Sequence, residues 1–201
     1  MRHDLTVVHV ESGKVVDTLL WARSVRSLAF SRDDKLAAVY GSLRTRLTVW
    51  DAGSGKELRT YKGCQPGRGG IRAGGWGLLA FSPDSRMLAA GSRGRVCLWD
   101  VRSGENYPPF RLRNASPIGL AFSTSGTILT VAVTDHTLRL WDVDSGQELR
   151  RCTFDHGTTL HTVVDSAFSS GAKTFAFMGQ DERSVELWDV QSCTELHKFT
   201  M

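Results

Sequence analysis

One dipeptide recurs along this 201-residue chain at intervals that a single helix or a single sheet would not impose: Trp50-Asp51, Trp99-Asp100, Trp141-Asp142 and Trp188-Asp189, spaced 49, 42 and 47 residues apart. An Ala-Phe-Ser triplet precedes each one, with Phe30, Phe81, Phe122 and Phe168 lying 18 to 20 residues upstream of the tryptophans. Two variable residues follow each Trp-Asp, then Ser54-Gly55, Ser103-Gly104, Ser145-Gly146 and, with one departure, Ser192-Cys193. A fainter copy opens the chain, where Leu5-Thr6-Val7-Val8-His9 aligns with Leu47-Thr48-Val49-Trp50-Asp51 at a distance of 42 residues. A period of 40 to 50 residues denotes an array of like supersecondary units rather than one folded core.

Each unit reads as four short strands. In the second copy they are 77–82, 87–91, 95–99 and 106–112, separated by Pro83-Asp84-Ser85, Ser92-Arg93-Gly94 and Ser103-Gly104. No 12-residue window carries a helical stripe, so the pattern points to a propeller of four-stranded blades. These residues resemble the WD-repeat β-propellers, and the resemblance covers nearly the whole chain. It implies an all-β fold, a β-propeller of four-stranded antiparallel blades. Four complete blades are expected with two N-terminal strands, open or part of a larger propeller: a partial blade at 1–20, then blades at 21–62, 63–112, 113–153 and 154–201. It also implies that the Trp-Asp strand is the third of each blade and the strand after Ser-Gly the outermost. Both faces of a blade are covered by neighbours, so its strands are apolar and one bulky side chain must fill the wedge. The Asp carboxylate can fold back onto backbone N–H groups to start the hairpin turn, and Gly supplies the positive φ near its end. Cys193 stands in that Gly slot and is expected at positive φ.

The family's buried hydrogen-bond network joins the Trp indole, a Ser or Thr on the second strand, a His before the first and an Asp in the second-to-third turn. Here the second-strand slot reads Tyr40, Ala90, Val131 and Met178, and the His slot reads Trp21, Arg72, Arg113 and Thr159. Only Asp135 matches, with Asp181 or Glu182 as a substitute in the last blade. Weak cooperativity between blades is therefore expected. The N-terminal half blade lacks its two inner strands, and its open edge invites another strand. Three readings stay open: part of a longer propeller, a half blade completed by another chain (self-association through that edge), or a degenerate gene product.

Hydrophobic residues make up 41% of the chain, enough for a folded core. The net charge of +4 is mild, and no apolar run is long enough to span a membrane. Cys64, Cys97, Cys152 and Cys193 form no CxxC pair, which argues against a zinc ribbon or a disulfide framework and favours a reducing compartment. With Asp4 where a signal peptide's apolar core would start, a cytoplasmic protein is expected. Catalysis is not expected, nor a cofactor. Gly53-Ser54-Gly55-Lys56-Glu57 resembles a phosphate loop but has Trp50 for the first Gly and Glu57 for the magnesium-binding hydroxyl. Asp155-His156 and His161 lack a third metal ligand in spacing.

Charge placement is more informative than net charge. Residues 41–113 hold 13 Lys and Arg against 5 Asp and Glu, whereas residues 114–201 hold 6 against 11. By the resemblance, second-to-third turns and blade-to-blade connections emerge on one face. That face would gather Arg44, Arg46, Arg93 and Arg95 with Arg68, Arg72, Arg111 and Arg113, opposite Asp135, Asp155, Asp181 and Glu182. The expected role is a scaffold for protein–protein interaction that docks an acidic or phosphorylated partner, since guanidinium forks match carboxylates and phosphates. The alternative is a propeller associated with RNA through the Gly/Arg-rich loop 63–77.

Overall fold

The Ser of every Ala-Phe-Ser triplet closes a turn with both its backbone and its side chain. Ser31, Ser82, Ser123 and Ser169 donate their N–H groups to the carbonyls of Leu36, Met87, Ile128 and Thr174, all at 2.8–2.9 Å. Their hydroxyls accept the N–H groups of the same four residues at 2.9–3.1 Å. Three residues into each turn the chain passes through positive φ, at Asp34, Ser85, Gly126 and Ala172. The serine is thus a lock on the turn between first and second strands, which is why it recurs.

The computed structural model describes residues 5–8, 13, 15–19, 25–41, 46–61, 78–92, 94–113, 115–153, 165–178 and 184–200. Among them every regular element is a strand. β1 (Leu5–Val8) and β2 (Val15–Leu19) form a two-stranded sheet. The first complete blade is β3 (Val25–Phe30), β4 (Leu36–Gly41), β5 (Arg46–Asp51) and β6 (Glu57–Tyr61). The second is β7 (Leu78–Phe81), β8 (Met87–Ser92), β9 (Arg95–Asp100) and β10 (Phe110–Arg111). The third is β11 (Pro117–Phe122), β12 (Ile128–Val133), β13 (Thr137–Asp142) and β14 (Glu148–Thr153). The fourth is β15 (Asp165–Phe168), β16 (Thr174–Met178), β17 (Ser184–Asp189) and β18 (Thr194–Thr200). Each complete blade is a four-stranded antiparallel meander in chain order. The fourth strand of the second blade is shortened to two residues because Pro108 and Pro109 cannot donate to the ladder; before them only a Trp99–Asn106 bridge is made.

The innermost strands pack in series, β3 on β7, β7 on β11 and β11 on β15, and no comparable packing among the described strands joins β15 back to β3. The array is an open propeller. Close approach near its axis requires Gly91, where a Cβ would come within 2.9 Å of the Pro117 ring.

Three apolar seams hold the blades together, each between one blade and the next. The wedge is filled from both sides. The residue eleven positions after a Trp, on the outermost strand, covers the Trp of the following blade: Tyr61 lies against Trp99 with ring centroids 5.8 Å apart, and Phe110 stacks on Trp141 at 4.8 Å. Cys152 occupies the same slot beside Trp188. There the expectation of unpaired cysteines is corrected, because Cys152 is disulfide-bonded to Cys193 with Cα atoms 5.5 Å apart, and Cys97 is disulfide-bonded as well. Spacing along the chain does not measure distance across a seam. The eleventh-position residue of one blade meets the turn residue of the next, as Phe110 meets Gly146, so cysteines 41 residues apart can be neighbours. Pairing removes the ground on which a reducing compartment was expected.

The turn after each Trp-Asp is built as its residues imply. Asp51, Asp100, Asp142 and Asp189 accept the N–H groups of Ser54, Ser103, Ser145 and Ser192 at 2.6–2.8 Å. The hydroxyls of Ser54, Ser145 and Ser192 donate to the same oxygens. These bonds lower the carboxyl pKa values, led by the serine hydroxyl at Asp51 and Asp142 and by the serine backbone N–H at Asp100 and Asp189. Gly55, Gly104, Gly146 and Cys193 all have positive φ, 62° at Cys193, so the cysteine does take the glycine conformation.

The second-strand slot is corrected by register. Tyr40 and Met178 pair with Leu47 and Val185, whereas Ala90 and Val131 pair with Cys97 and Arg139, one position over. A one-residue slip reverses the face, so the row on the Trp side is Val39, Ala90, Val131 and Phe177. None can bond an indole. Trp141 Nε1 is buried without a partner, and Trp188 Nε1 donates instead to Glu186 Oε2 at 3.2 Å.

Candidate partner-binding face

The turns of the array divide into two sets. In every blade the residue after Trp-Asp donates its N–H to the turn between first and second strands: Ala52 to Lys35, Val101 to Arg86, Val143 to Thr127 and Val190 to Lys173, at 2.7–2.9 Å. Those two turns therefore share one face. On the other face, the second-to-third turn bonds to the blade connection. Leu112 N–H donates to the Gly94 carbonyl at 2.8 Å, and Gly94 N–H donates to Ala115 at 3.1 Å. Thr134 N–H donates to the Ser116 carbonyl, and Ser116 N–H returns to Thr134 Oγ1, both at 2.9 Å.

Arg95 opens β9 and lies directly opposite Arg111 on β10. Two residues on, Arg113 is exposed and held at φ 55°. Its carbonyl lies 2.8 Å from where a Cβ on Gly94 would stand, so a side chain at that position would collide with the connection. Like charges directly across a ladder are destabilising. Among the described residues no carboxylate pairs with Arg95, Arg111 or Arg113. Strand pairing and the connection after it thus bring the backbones of three arginines to one edge of the second blade.

The other predicted arginines are not placed as fully. Arg46 opens β5, with only its backbone described, and Arg44, Arg68, Arg72 and Arg93 lie outside the described residues, as do the Gly/Arg-rich loop 63–77, Asp155, His156, His161, Asp181 and Glu182. Asp135, assigned to the family network, does another job: it accepts Thr137 Oγ1 at 2.5 Å and forms a salt bridge with Arg139, which is only 3% exposed. Arg139 also donates from Nε to Thr137 Oγ1 at 3.1 Å. The corresponding position of the fourth blade holds Glu186, equally buried, with Lys198 Nζ at 2.8 Å. Sequence reading missed both buried charges, although each lies two residues before a Trp, a strand position whose side chain must face the same seam as the indole. Among the described residues no cluster of three metal-ligating side chains occurs, and no helix is long and apolar enough to cross a membrane.

Comparison with known proteins agrees with this architecture. The family described as WD domain, G-beta repeat matches residues 55–100 and 110–142. The chain is 27% identical over 155 residues to WD repeat-containing protein SL1-17 of Schistosoma mansoni, covering 77% of this chain and 47% of that one. It is 27% identical to WD repeat and SOCS box-containing protein 1 of Xenopus tropicalis, over 59% of this chain and 28% of the relative. Autophagy-related protein 16 of Arabidopsis thaliana is 28% identical over 63% of this chain and 25% of its own length. The chain thus spans less than half the length of these relatives.

Proposed function

The chain is a WD-repeat protein, and from that premise we propose that it is a non-catalytic scaffold that docks an acidic segment of a protein partner on the face carrying Arg95, Arg111 and Arg113. The observation that supports this reading is the direct opposition of Arg95 and Arg111 without a described carboxylate partner. Folding gains nothing from that pairing, whereas a partner's carboxylates or phosphates would meet two guanidinium forks side by side. Backbone bonds around Gly94 hold the connection before any partner arrives, which limits the ordering cost of binding.

Fluorescence anisotropy with a labelled Asp/Glu-rich peptide tests it. The double variant Arg95→Glu/Arg111→Glu is expected to weaken binding at least about tenfold, and added salt to weaken the wild type. The melting temperature should stay near wild type, because Arg111 is exposed and Arg95 half-buried at the blade rim. Unchanged affinity in the double variant removes the arc from function.

A further inference from the structure

At each described seam the eleventh residue after one Trp meets the turn that follows the next Trp-Asp. Tyr61 bonds to Val101, Phe110 rests against Gly146, and Cys152 is joined to Cys193. Sulfur thus stands on both sides of the seam between the third and fourth blades, and the two sulfurs differ sharply in access.

Cys152 is 3% exposed, buried among Phe175, Phe177, Trp188 and Val190. Cys193 is half-buried, in a turn between the exposed Ser192 and Thr194. That opening belongs to the rim position and not to the place of the fourth blade in the chain. Gly104 and Gly146 fill the same turn position in blades packed between two described neighbours, and both are half-buried as well. The turn also holds its shape without the sulfur link, because Ser192 N–H donates to Asp189 Oδ1 at 2.6 Å and Cys193 N–H to the Asp189 carbonyl at 3.0 Å. On the buried side, Cys152 Sγ lies 3.9 Å from the Val190 carbonyl oxygen, an acceptor for a thiol proton.

We propose that Cys193 is a site of reversible thiol exchange, at which a small solvent thiol forms a mixed disulfide and releases Cys152. The attacking thiolate bonds to Cys193 Sγ, and the bond to Cys152 breaks with its electron pair on Cys152 Sγ, which takes a proton from water. The incoming sulfur is oxidised to the disulfide level and Cys152 is reduced to the thiol. An attacker must reach the sulfur it attacks, and burial of Cys152 leaves Cys193 as the target. Burial also disfavours a thiolate at Cys152, which slows the exchange without redirecting it. The released thiol can donate to Val190 and stays beside Cys193. It is therefore positioned as the resolving group: its thiolate attacks Cys193 Sγ, expels the small thiol and restores the link. The seam so reads the ratio of thiol to disulfide in its surroundings, while the hydrogen-bonded turn persists in either state.

Peptide mass spectrometry tests this on the oxidised full chain, incubated with reduced and oxidised glutathione at graded ratios and quenched with N-ethylmaleimide in denaturant. At intermediate ratios glutathione is expected on Cys193 with Cys152 alkylated, in at least about tenfold excess over the converse. Cys152→Ala removes the resolving thiol and is expected to retain the adduct on Cys193 with oxidised glutathione alone. Cys193→Gly, which suits the positive φ of the turn, is expected to leave Cys152 unmodified until denaturant is added. The wild-type map decides the matter even where a variant fails to fold. Adducts shared equally by the two cysteines, or found mainly on Cys152, overturn the proposal. A link that stays intact in reduced glutathione up to about 10 mM overturns it equally, because the disulfide is then closed to exchange.

Discussion

The second and third seams fill one slot by different chemistry. Between the second and third blades, Phe110 is 3% exposed and stacks on Trp141 at an interplanar angle of 5°, with the ring resting against Gly146. Between the third and fourth blades the same two positions are Cys152 and Cys193, joined covalently. The repeat fixes a place and a direction, and the side chain decides whether dispersion or a bond occupies it. An aromatic fill works at any redox state. A disulfide trades buried area for a link that depends on oxidant.

The largest expected break in this comparison is Phe110→Ala, which leaves a cavity beneath Trp141 and should cost about 3–5 kcal/mol in chemical denaturation. Cys152→Ser comes next, at about 2–4 kcal/mol in oxidising buffer, from a closed loop of 41 residues. Wild type and Cys152→Ser should converge in reductant, while the Phe110→Ala deficit should persist there. If reductant leaves the wild-type melt unchanged, the covalent link is not contributing. Third is the set of turn aspartates, whose carboxyl pKa values all lie below the ordinary value. Their contribution is complete above the unfolded carboxyl pKa near 4 and is lost as pH falls through the lower folded values. Asp142→Asn should therefore lower the melting temperature by a few degrees at neutral pH and flatten part of the acid limb. The smallest effect is Tyr61→Phe at the first seam, about 1 kcal/mol for the bond to Val101. Burial raises the Tyr61 hydroxyl to about 12. Stability should therefore fall as pH rises from about 10, where the unfolded tyrosine ionises, towards 12. Tyr61→Phe should abolish that alkaline slope, as followed by near-ultraviolet circular dichroism.

What was legible in the sequence was whatever depends on neighbours along the chain. The Trp-Asp turns and the positive φ of Cys193 follow from residues within five positions, and the structure reproduces them. The second-strand slot was half wrong because its face is set by cross-strand register, which Ala90 and Val131 occupy differently from Tyr40 and Met178. Cys152–Cys193 was invisible because the eleventh-residue slot acquires its partner only when blades stack. Of the arginines expected on one face, Arg95, Arg111 and Arg113 are described in full, and the sequence did not foretell that Arg95 and Arg111 would lie directly opposite each other. That pairing depends on how far the prolines shorten β10.

The ties between blades also have a mechanical reading. Tyr61 to Val101, Arg59 to Arg102, Arg150 to Gln191 and Cys152 to Cys193 all end in the turns that follow Trp-Asp, on one rim of the array. Away from that rim, Ser166 Oγ donates to the Ile118 carbonyl at 3.1 Å between the innermost strands of the third and fourth blades. The rim is thus the more heavily tied side, and blade-to-blade motion is expected to be largest where Arg95, Arg111 and Arg113 stand. A partner clamped across two connections on that side would act as a strut, damping the splay of the open ring with no change in any blade it touches.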